Sequence, residues 1–275
     1  NGLRCSTATG YLKPIKNRPN LRIESDAMVL NILFDGKRAS GIRFRQYGQE
    51  KIISVGGEIV LAGGAINSPQ MLQLSGIGPA EHLRAHEIDV VHDNPGVGRD
   101  LQDHYQARIV MELNRSISVN DDINNPLRLA LTGLRYALFR RGPMTFSAGH
   151  VGVFTKVLPE SATPDAQVHF IPFSATKAGG DLHPYSGVTA SVCQLRPESR
   201  GEVMIASSDP LKHPKITPNY LSTEYDRRIM VEGLKTIRQI AHAPAFARHV
   251  VMEREPGAEN IGDETLLAYA REKGN

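Results

Sequence analysis

Residues 58–79 read Glu-Ile-Val-Leu-Ala-Gly-Gly-Ala-Ile-Asn-Ser-Pro-Gln-Met-Leu-Gln-Leu-Ser-Gly-Ile-Gly-Pro. No other stretch of this chain limits its fold as much. The apolar run Ile59–Leu61 reads as a buried strand. Gly63-Gly64 lets the backbone turn sharply and lets a ligand approach without a Cβ in the way. Ser68 suits a helix N-cap and Pro69 the first helical position. Met71, Leu72 and Leu74 then supply an apolar face, and Ser75-Gly76-Ile77-Gly78 ends the helix. A strand, a glycine turn and a helix N-terminus together form an anion- or cofactor-facing arrangement. A plain strand-to-helix connection that needs two glycines has the same pattern, so residue physics alone leaves both readings open.

Two nearby glycine pairs fail as a dinucleotide fingerprint. Gly76-Ile77-Gly78 is followed by Glu81 where G-x-G-x-x-G needs glycine, and Gly96-Val97-Gly98 is followed by Leu101. A phosphate-cradling loop is therefore not expected within this chain.

Composition removes several function classes. The net charge of +3 over 275 residues is too small for a nucleic-acid surface. The densest basic pairs, Arg140-Arg141 and Arg227-Arg228, read as solvated helix faces. No apolar run approaches the ~20 residues needed to span a bilayer. Cys5 and Cys193 have no metal or redox spacing, so neither a disulfide framework nor a thiolate metal site is expected. A reducing compartment fits, and the expected location is cytoplasmic, either free or peripheral at the inner membrane. The histidines show no H-E-x-x-H spacing and no G-x-S-x-G elbow occurs, which argues against a metal site and a serine hydrolase.

Periodicity gives an α+β fold. Residues 21–34 are rich in β-formers, Asp35-Gly36 signals a hairpin, and 41–46, 51–55 and 58–61 continue as short strands. A helix and the segment Asn94–His104 follow. Strands are expected at 107–113, 151–157, 166–173, 188–195 and 202–206. Helices are expected at 126–141 and 225–241, with a last one at 264–273 capped by Asp263. The division falls near residue 104: residues 1–104 are part of an α/β nucleotide-type domain, and 105–275 form an antiparallel sheet with flanking helices.

Several stretches together resemble the glucose–methanol–choline (GMC) flavoprotein oxidoreductases. Gly64–Pro79 resembles the family's Gly-Ala-x-x-Ser-Pro … Ser-Gly-Ile-Gly signature. Asn94–His104 resembles its Pro-Gly-Val-Gly-x-Asn-Leu-x-Asp-His segment, with Asp100 where Asn is common. Leu195–Val203, His213–Arg228 and Arg4–Leu12 resemble three further family stretches, and the likeness runs along essentially the whole chain. The closest flavour is the choline or alcohol dehydrogenase branch.

The resemblance implies an FAD-dependent alcohol oxidation in the parent protein, by base-assisted hydride transfer to flavin. It makes 1–104 the remaining part of an FAD-binding domain and 105–275 an antiparallel-sheet substrate domain. It puts Val29, Ala62, Gly63 and Gly64 beside the cofactor; a β-branched core residue of its strand is the other reading of Val29. It puts Gln167 and His169, two apart on one strand and so on one face, in the substrate pocket. A hydrogen-bonded pair under a roof loop is the other reading of those two. Asp103-His104 is expected to be a structural loop pair. No catalytic residue is assigned: the family's G-x-G-x-x-G segment would precede Asn1, and its His-Pro-x-Gly-Thr segment would follow Asn275. The chain is thus expected to be a central fragment, inactive by itself, retaining FAD poorly or not at all. Oligomerisation through the cut surface, or disorder near Asn1 and Asn275, is a further expectation. The rival readings are a non-catalytic binding or structural module on the same sheet, and a GMC enzyme for a sugar or aromatic alcohol.

Overall fold

A computed structural model describes residues 2–177, 179–260 and 262–275. The chain forms two compact units. The first comprises residues 6–103 and 199–220; the second comprises 2–5, 104–198 and 221–275.

The first unit opens with a π-type turn, Ala8–Leu12, that runs into the short α1, Lys13–Ile15. Strands β1 (Ala27–Asp35), β2 (Arg38–Gln46) and β3 (Gln49–Ser54) make an antiparallel meander with β2 in the centre. Asp35 pairs with Arg38, leaving Gly36-Lys37 as the two-residue turn, with φ +56° at Gly36. The register slips between Val29 and Asn31, so Leu30 is a bulge residue, and it is buried. Helix α2 spans Gly64–Leu74. After it come β4 (Ile77–Gly78), α3 (Ala80–Ala85) and β5 (His92–Asp93), with β4 and β5 parallel. The returning segment adds an antiparallel pair, Glu202–Met204 with Lys215–Thr217, numbered β10 and β11 in chain order.

The second unit is built on a five-stranded antiparallel sheet. It contains β6 (Gln106–Leu113), β7 (Val151–Thr155), β8 (Ala166–Ile171), β9 (Gly187–Gln194) and β12 (Val250–Glu255), in the order β12-β6-β9-β8-β7. Helices α4 (Val119–Asn124) and α5 (Pro126–Phe139) separate β6 from β7. Helices α6 (Glu224–His242), α7 (Pro244–Ala247) and α8 (Asp263–Lys273) complete the unit. The core lies where α6 and α8 cover one sheet face: Ile229, Met230, Leu234, Ile237 and Leu266 pack with Ile109, Met111, Val168, Ala190 and Val192. Gly233 lets α6 approach that closely, because a Cβ there would lie 2.5 Å from Val192 Cγ2. All eight residues of β9 are buried, as a central strand requires.

The structure corrects three local expectations. Residues 58–61 are not a strand; they run as irregular chain with Val60 and Leu61 exposed. An apolar run becomes a strand only through ladder partners, and no described strand pairs with it. Ser68 does not cap α2, and Pro69 is not its first residue. The helix starts a turn earlier, with Gly63 as N-cap and Gly64 at φ +80°. Pro69 therefore sits inside the helix, at the cost of one backbone hydrogen bond. Asp263 is the first helical residue of α8, behind Gly262 as N-cap, and its carboxylate pairs with Lys235 at 2.7 Å. Strand β12 and helix α4 were not anticipated. In β12, Met252-Glu253-Arg254-Glu255 is too charged to read as a strand from sequence.

The two units divide at 103/104, and residues 199–220 rejoin the first unit. Disorder expected at Asn1 lies outside the described residues.

Candidate functional site

In the first unit, α2 is held against two neighbours. Ile32 N–H donates to Ser75 Oγ at 2.8 Å, and that hydroxyl donates to the Met71 carbonyl at 2.6 Å. On the other side, the fully buried Gln73 donates from Nε2 to the Val203 carbonyl at 2.9 Å and accepts from Ile205 N–H at 3.0 Å. The glycines of the helix-ending stretch follow from close approach. Gly76 has φ +84°, and a Cβ on it would lie 2.4 Å from the Asp89 carbonyl oxygen. Its own carbonyl accepts from Val91 N–H at 2.8 Å.

Between β1–β2 and α2 lies a cavity of about 340 Å³. Val29, Ile32 and Ile42 form its sheet side, Asn67, Met71 and Leu74 its helix side, and the segment 59–63 runs along it. Three of the four residues expected beside a cofactor, Val29, Ala62 and Gly63, therefore line one space. Gly64 is not among the lining residues; it makes the turn into α2, and a Cβ there would meet nothing within 4 Å. Ser68, read from the sequence as a helix cap, is a cavity residue, and so is Asn67, which carried no assignment. An apolar slot of this size suits one flat ring system with polar groups at its rim. FAD is far larger than this slot, so these residues fit the adenine part of the molecule.

In the second unit, Gln167 and His169 do share a face. Their neighbours Ala166 and Val168 point into the core, whereas both polar side chains are half-buried on the other side. Register adds companions on that side. Gln167 stands opposite Cys193 and Phe154, and His169 opposite Ser191 and Gly152. Gln106 and Arg108 of β6 are the next across the sheet. Ser191 Oγ donates to Gln106 Oε1 at 3.2 Å. The result is a polar sheet face without a carboxylate at these positions. Burial pushes the Cys193 thiol up to about 11, so it stays protonated at neutral pH. Ser191 and Cys193 were missed, although Val188-Thr189-Ala190-Ser191-Val192-Cys193 alternates strictly and carried the signal.

Each residue of the loop pair expected at 103–104 makes a bond to a neighbouring segment. Tyr220 OH donates to Asp103 Oδ2 at 2.6 Å, and His104 Nε2 lies 3.3 Å from the Leu195 carbonyl. Among the described residues no cluster of three or more metal-ligating side chains occurs.

The first unit thus carries an apolar slot between β1–β2 and α2, and the second an antiparallel sheet with one polar face. Residues 1–106 match a model of the GMC oxidoreductase N-terminal region and 197–275 a model of its C-terminal region. The chain belongs to the GMC oxidoreductase family. It is 35% identical over 276 aligned residues to an alcohol dehydrogenase [acceptor] of Pseudomonas putida, covering 99% of this chain and 50% of that protein. It is 36% identical to an oxygen-dependent choline dehydrogenase of Paraburkholderia phytofirmans, covering 98% of this chain and 48% of the other. Among solved structures, a formate oxidase superposes with a TM-score of 0.87 at 22% identity, over 94% of this chain and 50% of that one. A pyridoxine 4-oxidase from Mesorbium loti gives 0.83 at 22% identity, over 100% and 50%. The chain thus spans about half the length of the relatives it matches, and the two structures show its fold.

Proposed function

We propose that this chain is the central part of an FAD-dependent GMC oxidoreductase that oxidises an alcohol, choline-like or aliphatic, and that it is inactive by itself. One observation carries the reading: Val29, Ala62 and Gly63, three positions matched to the family's cofactor side, converge on one apolar cavity. The two-domain reading is carried forward with it: 6–103 with 199–220 as the partial FAD-binding unit, and the rest as the substrate unit.

FAD, when bound, accepts a hydride from the alcohol carbon. This chain's residues bind and orient. Val29 and the 59–63 segment hold the adenine part, and the positive φ of Gly64 turns the backbone there without a side chain. In the second unit, Gln167 and His169 hold the substrate hydroxyl by hydrogen bonds. No proton acceptor is assigned among the named residues, so the chain alone is proposed to have no turnover. The proposed location is the cytoplasm, either free or peripheral at the inner membrane. Among the described residues no helix is long and apolar enough to cross a membrane.

The test compares the 275-residue chain with a polypeptide extended by the flanking codons. The extended form is expected to purify with stoichiometric flavin that bleaches anaerobically when choline or an aliphatic alcohol is added. The short chain is expected to lose FAD on gel filtration. Stoichiometric flavin on the short chain, or a colourless extended protein, overturns the proposal. In the extended form, Val29→Glu is expected to weaken FAD retention at least tenfold, while Gln167→Ala with His169→Ala raises KM and leaves flavin content unchanged.

A further inference from the structure

From residue 123 to residue 159 the chain carries Arg128, Arg135, Arg140, Arg141 and Lys156 and not one Asp or Glu. Helix α5 occupies the middle of that stretch, and none of its residues is buried. Leu127, Leu131, Leu134 and Leu138 fall at i, i+4, i+7 and i+11, a single stripe along the helix. They are 72%, 57%, 54% and 65% exposed. At about 100° per residue, Arg128 and Arg135 stand roughly 80° from the centre of that stripe, along its edge. Phe139, Met144 and Phe146 continue the exposed apolar surface past the helix, next to Arg140 and Arg141.

The helix is built to form. Asn125 caps it by accepting from Leu127 N–H at 3.0 Å and Arg128 N–H at 3.1 Å, and Pro126 takes the first position. Helices of this length are nevertheless marginal in water without a face to bury. Something must cover the leucine stripe: a second copy, a segment of the parent protein outside these residues, or a lipid surface; charge argues against the first and for the last. Two copies meeting stripe to stripe would bring together Arg128, Arg135, Arg140 and Arg141 of each, with no acid within the stretch to neutralise them. An anionic lipid surface satisfies both halves: headgroup phosphates pair with the arginines, and the leucines enter the headgroup–acyl boundary.

We infer that α5 and the turn that follows it to Phe146 form an interfacial helix that docks on a membrane surface rich in anionic phospholipid. This rests on the peripheral-membrane part of the proposed function and names the element and the lipid chemistry responsible. The same sequence reads as an ordinary solvated basic face if only Arg140-Arg141 is considered; the uncovered leucine stripe is what changes the reading.

The test is co-sedimentation of the 275-residue chain with phosphatidylcholine vesicles and with vesicles also containing phosphatidylglycerol. It needs neither flavin nor substrate, so its outcome is independent of FAD binding. The chain is expected to sediment with the anionic vesicles, at least tenfold more weakly with the neutral ones, and to be released by salt. Arg128→Gln with Arg135→Gln is expected to lower partitioning about 25-fold, roughly fivefold for each charge. Leu131→Gln with Leu138→Gln is expected to abolish it. All four side chains are solvent-facing, and an unchanged circular dichroism spectrum verifies folding. Four results overturn the inference: no sedimentation with anionic vesicles, equal binding to both vesicle types, leucine variants that bind as well as wild type, or an extended polypeptide that no longer binds. A dimer in sedimentation velocity that the leucine variants dissociate, with no vesicle binding, assigns the stripe to a second copy instead.

Discussion

Gln73→Leu isolates the contact that ties α2 to the returning segment. Gln73 is fully buried and uses both ends of its amide: Nε2 donates to the Val203 carbonyl at 2.9 Å, and Oε1 accepts from Ile205 N–H at 3.0 Å. Val203 sits opposite Ile216, while its N–H donates to Gly98 O, away from β11, so its carbonyl faces Gln73 too. Leucine fills a similar volume and satisfies neither backbone group. Each buried group left unpaired costs about 1–3 kcal/mol. Added apolar burial returns about 1–2 kcal/mol. The net loss is therefore about 2.5 kcal/mol, which corresponds to about 60-fold faster opening of the local structure. Because the chain has two units, a single melting curve is a poor readout. Amide hydrogen exchange at Val203 and Ile205 reads the contact directly. The control is Gln70→Leu, which removes only an exposed bond to the Lys212 carbonyl at 2.9 Å and is expected to change exchange less than threefold. Unchanged exchange in Gln73→Leu, or an equal effect in the control, would refute the reasoning.

Four further outcomes follow from the packing and the charges. Gly233→Ala is expected to destabilise the second unit by about 1–3 kcal/mol in urea titrations, because its Cβ would meet Val192 Cγ2 at 2.5 Å; an unchanged midpoint contradicts the close approach of α6. Arg238→Met should cost about 3–5 kcal/mol, since the guanidinium pairs with Glu253 at 2.6 Å and also donates to the Asn260 and Gly257 carbonyls at 2.6 and 3.0 Å. At pH 8, iodoacetamide is expected to label Cys5, which is exposed, and to spare Cys193, which is buried with its pKa pushed to about 11; two labels per native chain in the mass spectrum contradict that burial. Burial works to raise the pKa of Asp121, but hydrogen bonds from Ser186 Oγ at 2.7 Å, Ser118 N–H at 2.9 Å and Ser118 Oγ at 3.0 Å outweigh it and hold it below 3.8. Its contribution is thus present above the unfolded value and lost as pH falls through the lowered one, so Asp121→Asn should speed amide exchange at Ser118 and Gly187 relative to wild type at pH 6 and not in strong acid; a gap that is constant with pH contradicts this.

What the sequence could show depended on how local the signal was. Strand β8 alternates buried and half-buried residues over Ala166–His169, so the shared face of Gln167 and His169 was readable from spacing two. Helix α6, with seven buried residues at helical spacing, was equally plain. The run 58–61 was misread because its hydrophobicity is local but strand formation is not: it needs partners that no described strand supplies. Strand β12 failed in the opposite way. Its pairing with β6 is real, yet the salt bridges of Arg254 with Glu112 and Glu253 with Arg238 put charged residues where β-propensity expects apolar ones. Val29 and Gly63 at the cavity were recoverable by resemblance; the bonds that hold α2 through Gln73 and Ser75 were not, although Ser75 belongs to the matched Ser-Gly-Ile-Gly signature. Their partners lie 130 and 43 residues away, and no periodicity reports a bond across that distance.

The return of residues 199–220 to the first unit has a consequence for synthesis. A ribosome releases Gln73 and Gly98 well before Val203, the residue whose backbone both need. The intervening 104–198 must emerge first, so the nascent first unit waits with a buried-type glutamine and a tight glycine facing water. Chaperone demand and protease sensitivity should peak in that interval, and any gene shortened to end near codon 104 would make the waiting permanent.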